Sequence, residues 1–306
     1  MVLTQGGGVA KRSGFMTADF QQRRDAILVH GDFPPLLKQV PDAPERLYLR
    51  GEIPTGSPVI AVVGSRAASG HGLHRAHELA VDLATRGALV ISGGAVGVDA
   101  AAHVGTMSAG KATLVVLATS LEAPYPARHR PLFRQIVDRG GSLLSCMQPG
   151  VPLQKWHFLR RNRILAGLAD AVIVVEASVS SGSLYTAEAA LDYGRVLGAC
   201  PGTPGTESLL RQGAAVVESA EDVFAALRGV PRILSVSLPE AGTDEARALA
   251  ALGQSPRGVD SLSVALGLDS GRIASALSAL ELEGLAQPVP GGRYVRSDVA
   301  ERLCIS

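Results

Sequence analysis

Between residues 58 and 217 the chain alternates short, almost wholly apolar runs with longer stretches whose apolar residues recur at helical spacing. The runs fall at 58–64 (PVIAVVG), 88–91, 112–118, 142–145, 171–175 and 196–199, with Val216 and Val217 behind the last helical stretch. Strands this continuously apolar are covered on both faces, and the intervening 10 to 15 residue stretches have the length of crossover helices. The pattern therefore predicts an α/β domain: an extended Rossmann-like, open, mostly parallel sheet of about six strands with right-handed crossovers. Upstream, residues 32–51 (DFPPLLKQVPDAPERLYLRG) are punctuated by proline and read as an irregular lead-in ending in a short strand, with Leu36, Leu37, Val40, Leu47, Tyr48 and Leu49 as packing residues. Residues 17–29 read as a short helix capped by Thr17 or Asp19, and the glycine-rich stretch before Ser13 offers little to pack.

Past 228 the pattern changes. Two prolines and two glycines mark 229–243 as a linker, and 245–252, 259–266 and 269–282 follow as three short helices. Residues 285–295, interrupted by PVPGG, form a two-stranded wing. Asp269 can cap the third helix, whose Ile273, Leu277 and Leu280 face a small core. The expected division is thus an N-terminal tail and helix (1–31), the Rossmann-like domain with its lead-in (32–228), the linker, and a winged-helix-like domain (244–306).

Composition narrows the possible functions. The chain has 306 residues, enough for one large domain and a small one. No targeting segment and no run approaching the roughly 18 apolar residues of a membrane span is present, which argues against a membrane protein. Cys146, Cys200 and Cys304 are too few and too scattered for a disulfide framework or a zinc cluster, so a reducing, cytoplasmic compartment is expected.

Total charge is only +1, but its distribution is uneven. Between residues 126 and 163 Arg128, Arg130, Arg134, Arg139, Lys155, Arg160, Arg161 and Arg163 face the single acid Asp138. A basic segment in a near-neutral chain is the electrostatic footprint of a polyanion site. Within it, QKWHFLRRNR (154–163) adds Trp156 and Phe158, aromatic side chains of the kind on which unpaired bases stack.

In an open α/β sheet, ligands sit beyond the carboxyl ends of the strands. Three turns occur there: Gly64, Ser65 and Arg66; Ser92, Gly93 and Gly94; and Ser181, Gly182 and Ser183. Glycine lets backbone N–H groups approach a phosphate, serine adds a hydroxyl, and Arg66 a fork of donors. Neither a Walker loop nor a closely spaced G-x-G-x-x-G is present, so no nucleotide cofactor and no metal is expected. Asp99 and His103, one helical turn apart, could act as an acid/base pair. The structural alternative, Asp99 bonding its own loop and His103 held beneath it, is preferred because no nucleophile or ligand cluster accompanies them. Arg161 and Arg163 could also be held internally by acids such as Glu176, which would lower their value as phosphate ligands.

Several of these motifs, in this order, resemble the DNA processing protein A family, also called Smf. The likeness covers residues 33–217 and is carried by FPPLLKQVPDAPERLYLRGE, VVGSRAASGHG, GVDAAAH, YPARHRPLF, FLRRNRILAGL, SGSLYTAEAALDYGR and CPGTPG. The chain departs from the family pattern at Gly94, where leucine is usual, at Leu159 in place of proline, and at Cys146 in place of an acid. Many members carry a helical domain upstream; it is expected to be absent or reduced here. The resemblance implies a non-enzymatic single-stranded DNA binder of natural transformation that protects incoming DNA, helps load the RecA recombinase and dimerises through its α/β domain.

The implied DNA contacts are Arg66, Ser92, Gly93, Lys155 and Phe158, with Arg161 and Arg163 lining the same pocket; Gly64, Ser65, Gly94, Arg160, Asn162, Ser181, Gly182 and Ser183 complete the candidate surface. The alternative is an enzyme that cradles a nucleotide or nucleoside phosphate in the same glycine loops, with Asp99, His103 or Glu176 as acid/base groups. The winged-helix-like domain holds six arginines against eight acids from 241 onward, which disfavours phosphate binding and suggests a protein-contact module.

Overall fold

The computed structural model describes residues 26–232, 238–253, 255–297 and 300. The expected tail, residues 17–25 of the expected helix, and Cys304 lie outside them. The lead-in comprises β1 (Ala26–Val29), α1 (Pro35–Lys38) and β2 (Arg46–Gly51). Strands and helices then alternate: β3 (Val59–Val63), α2 (Gly70–Thr85), β4 (Leu89–Ser92), α3 (Val98–Ser108), β5 (Leu114–Leu117), α4 (Arg130–Asp138), β6 (Ser142–Ser145), α5 (Lys155–Leu168) and β7 (Ala171–Val174). They close with α6 (Leu184–Asp192), β8 (Val196–Ala199), α7 (Pro204–Arg211), β9 (Ala215–Val216) and α8 (Ala220–Leu227).

All nine strands form one sheet in the order β1-β2-β6-β5-β4-β3-β7-β8-β9. Strands β3 to β9 pair in parallel, while β2 runs antiparallel to both β6 and β1. The sheet is wider than expected because the lead-in adds two strands beside β6 and the short β9 pairs with β8. The helix expected over 17–29 is not what residues 26–29 form. Ala26, Ile27, Leu28 and Val29, an apolar run rich in β-branched residues, pair with Leu49 to Arg46 instead.

Alternate residues of the central strands reach opposite faces. Ile60, Val62, Val90 and Ile173 pack with α2, α3 and α8, whereas Ala61, Val63, Ile91 and Val174 pack with α1, α5, α6 and α7. At about 25 cal/mol per Å² of apolar surface removed from water, this double burial is the chief stabilising term of the domain. A third cluster around the fully buried Phe133 of α4 covers β5 and β6.

The sequence pattern places a helix near 159–168, and α5 begins four residues before that, at Lys155. The backbone N–H of Gln154 donates to Nδ1 of His157 at 3.3 Å, so the first turn is closed at that point. Trp156 and Phe158 therefore lie on a helix and, two residues apart, point to different sides.

The C-terminal unit has its own core of Leu249, Leu262, Ile273, Leu277, Leu280 and Leu285. Its elements are α9 (Asp244–Ala251), β10 (Arg257–Gly258), α10 (Val259–Leu266), α11 (Ser270–Leu282), β11 (Ala286–Val289) and β12 (Arg293–Arg296). Asp269 caps α11, its carboxylate accepting from the N–H groups of Gly271 and Arg272. The wing is three-stranded rather than two-stranded, in the order β10-β12-β11, because Arg257 and Gly258 pair with β12.

Candidate nucleic-acid interface

Strand β3 is the point at which the sheet changes direction: β4 and β5 follow on one side of it, β7 and β8 on the other. Loops leaving β3 and β7 consequently part and leave a crevice at their carboxyl ends. A cavity of about 420 Å³ opens there, between the 64–67 turn, the first three turns of α5, and the start of α6 with the serines before it.

Internal clamps shape the loop after β3. Ser65 N–H donates to the Glu176 carbonyl at 2.7 Å, and the Glu176 carboxylate accepts from Ser69 N–H at 3.0 Å and from the Ser69 hydroxyl at 2.7 Å. The Ser69 oxygen in turn accepts from Gly72 N–H and caps α2. Glu176 is thus a loop clamp and not the partner of either arginine. Gly97, at φ +84°, lets its turn lie against the Ser65 carbonyl; an added Cβ would stand 2.2 Å from that oxygen. Held in this way, Arg66 is exposed at the mouth with its guanidinium 4.8 Å from the Phe158 ring centroid, a cation–π contact. Tyr125, in the loop after β5, meets the Phe158 ring edge to face, with centroids 5.9 Å apart.

Arg66 and Phe158 divide the crevice. On the far side lies a smaller cavity of about 120 Å³ bounded by Gly93, Val96, Ala118, Tyr125, Pro126 and Arg128. Arg161 contributes to both cavities from the floor, although its side chain is only 6% exposed. Nη1 of Arg161 stands 3.8 Å from the Asp99 carboxylate and donates to the Val116 carbonyl at 3.3 Å. Gly93 makes room for it, since a Cβ there would lie 1.4 Å from Nη1. Burial raises the pKa of Asp99 and lowers that of Arg161, and each is the leading charge opposing the other's shift. Removing either partner would leave an uncompensated buried charge.

The structure brings Gly64, Ser65, Arg66, Phe158, Arg161, Asn162, Ser181, Gly182 and Ser183 to one cavity. Asn162 donates to the Gly182 carbonyl at 3.1 Å, and the Ser181 and Ser183 hydroxyls bond each other at 2.8 Å. Lys155 and Arg160 are exposed beside the mouth on the first two turns of α5 and do not line either cavity.

Ser92, Gly94 and Arg163 require correction. Ser92 is fully buried and donates its hydroxyl across the sheet to Val62 at 2.6 Å. Gly94 is buried against Val115 and Phe133, and its carbonyl accepts from His129. Gly93 borders the smaller cavity but is shaped by Arg161. Arg163 points away from the crevice and pairs with Asp42 and Asp192 while covering the Tyr193 ring.

The groups that acid/base chemistry would need are engaged internally. Asp99 accepts from Ala95 N–H at 3.2 Å. His103 is fully buried, with Nδ1 2.9 Å from the Thr113 hydroxyl. Because that hydroxyl gives its own proton to the Val90 carbonyl at 2.7 Å, the proton of the shared bond sits on His103 Nδ1. Tyr125 and Tyr185 border the crevice without having been singled out by sequence, and Arg128 was named only as part of the basic segment. Tyr125 and Arg128 follow β5 at the same sheet edge, and Tyr185 follows the last serine turn, so the strand-end rule extended to both loops would have found them.

Comparison with known proteins first defines a class: the α/β domain, residues 26–228, matches a family model described as DNA recombination-mediator protein A, and residues 235–292 match the DprA winged helix domain. The chain belongs to that recombination-mediator family. It is 35% identical over 280 residues to protein Smf of Escherichia coli, an alignment spanning 86% of this chain and 75% of that protein. The structure of DNA processing protein A from Streptococcus pneumoniae superposes with a TM-score of 0.60 at 34% identity, covering 68% of this chain and 76% of that one. The Helicobacter pylori protein, described for its single-stranded DNA binding mode, gives 0.60 at 27% identity and covers 69% and 99%.

Proposed function

We propose that the crevice rim around Arg66 and Phe158 is where this protein holds unpaired DNA. The family role is non-catalytic: binding of single-stranded DNA and loading of the RecA recombinase onto it in recombination and transformation. Arg66 and Lys155 contact phosphates, Arg161 sets the floor potential, Gly182 presents a backbone donor, and Phe158 packs against a base or sugar. One observation carries this reading. Arg66, Arg128, Lys155 and Arg160, at or beside the mouth, pair with no carboxylate among the described residues. Unpaired cations gathered at one edge of a near-neutral protein attract a polyanion and release its counterions.

Two copies joined through their α/β domains present two such rims to one strand and gain avidity. The recombinase is the protein partner, and the cytoplasm, where unpaired DNA meets it, is the compartment. No helix among the described residues is long and apolar enough to cross a membrane. A crystal structure with a short oligo-dT tests the reading. Phosphate oxygens are expected within hydrogen-bond reach of Arg66 and Lys155; a strand seated elsewhere with this rim empty sinks it.

A further inference from the structure

The first two turns of α5 carry a surface that runs on beyond the crevice. Trp156 is 52% exposed and Leu159 44% exposed, and Lys155 and Arg160 beside them are exposed and pair with no carboxylate among the described residues. At about 100° per residue, Lys155, Leu159, Trp156 and Arg160 follow Phe158 round the helix at about 60°, 100°, 160° and 200°. They form a continuous strip that leaves the larger cavity at Leu159, one of its lining residues, and passes over the outside of the helix.

The indole in that strip is braced. His157 is buried, its Nδ1 accepts the Gln154 N–H, and its ring meets Trp156 edge to face with centroids 4.1 Å apart. A single exposed aromatic needs no explanation. An exposed tryptophan fixed in orientation, flanked by two unpaired cations and contiguous with an anion-binding crevice, has the composition of a base-stacking platform with phosphate contacts on either side.

We propose that Trp156, flanked by Arg160 and by Lys155 where the strip meets the crevice rim, is a second contact station for single-stranded DNA, stacking a base that lies along the strand beyond the nucleotides held in the crevice. The occupant is nucleic acid because the flanking charges are cationic and the strip continues the crevice wall. The inference rests on the crevice being the DNA site, and it predicts a dependence on strand length that the crevice alone does not have.

Trp156 is the only tryptophan in the chain, so its fluorescence reports on this station alone. The experiment compares a tetranucleotide of dT with an oligo-dT of about 16 nucleotides, the range of site sizes seen for single-strand binders. Trp156→Ala should weaken the longer strand about tenfold, as expected for one lost base stack, and leave the tetranucleotide within about twofold. Trp156→Phe should restore most of the loss, and the wild-type emission should be quenched by the long strand and not by the short one.

Unchanged affinity for the long strand overturns the proposal. So does an equal loss at both lengths, which would make the indole a support of the crevice, and so does quenching seen with the recombinase but not with DNA, which would make the strip a protein contact. Arg66→Ala is the separate control: if it leaves tetranucleotide affinity intact, the crevice reading fails whatever Trp156 does.

Discussion

His103 lies wholly inside the layer between α3 and the sheet, and the cost of charging it there pushes its pKa down to about 3; the neighbouring charges of His129 and Arg161 add to the effect. Above the ordinary histidine value of about 6.5 the ring is neutral in both the folded and the unfolded chain, and the site carries no pH dependence. As pH falls through that value towards 3, the unfolded chain takes up a proton that the folded one refuses, so stability declines by about 1.4 kcal/mol per pH unit. His103→Gln keeps a donor for Thr113 and removes the titration. Chemical denaturation at about pH 7 and about pH 5 should show a smaller loss of stability on acidification in the variant than in the wild type. An identical loss in both would mean that His103 is not the group whose protonation the fold resists.

On helix α5, neighbouring arginines have opposite fates. Arg161 turns down into the floor against Asp99, Arg160 stays in solvent, and Arg163 is held by the loop after α1 and by the end of α6. Burial opposes ionisation of Asp42, but hydrogen bonds from Arg163 and the Tyr193 hydroxyl outweigh it and keep that carboxyl below its usual range. Its bond to Asp42, with a second to Asp192, raises the pKa of Arg163 against the opposing effect of burial. Arg163 is therefore a tie between the lead-in, α5 and α6. Its pairs are well exposed, 39% and 43% for Arg163 and Asp42, so solvent screening limits their worth to about 1 kcal/mol.

Arg163→Gln should lower stability by that amount and leave the slope of log affinity against log salt for oligo-dT unchanged. A fall in slope of about 0.7, the signature of one lost phosphate contact to a single strand, would return Arg163 to the DNA. Sequence could place the helix and count its cations, because helical spacing and charge are local. It could not say which cation was free, since the partner of Arg163 lies 121 residues earlier in the chain. The same limit applied to the serine turns: the hydroxyl of Ser92 is spent on Val62, 30 residues away, by the registry of β4 against β3. The strands were legible because both their faces are apolar; the lead-in strand β1 was not, because four apolar residues read equally as the end of a helix.

Among the described residues, positive charge concentrates on the α/β domain, whereas in the C-terminal unit five arginines stand among the six acids Asp244, Glu245, Asp260, Asp269, Glu281 and Glu283. There the described arginines are spent internally: Arg247 on the Leu266 carbonyl, Arg257 on Ala251, Arg293 on Pro290, Arg296 on Leu249, and Arg272 in a two-bond pair with Asp244 at 2.7 and 2.8 Å. Arg272 is the one cation of α11, the helix that would enter a duplex groove, and its pairing with Asp244 leaves that helix without a free charge for phosphate. The module's apolar core is nevertheless separate and complete, consistent with a unit that serves contacts other than DNA.

The account is tested most directly by measuring oligo-dT affinity in three proteins side by side: the full chain, the chain lacking residues 241–306, and the full chain with Arg66→Ala and Lys155→Ala. Removing the winged helix should cost less than about tenfold, and the double substitution should abolish a gel shift. Affinity that survives the two substitutions, or that vanishes with the C-terminal unit while the α/β domain stays folded, would contradict it.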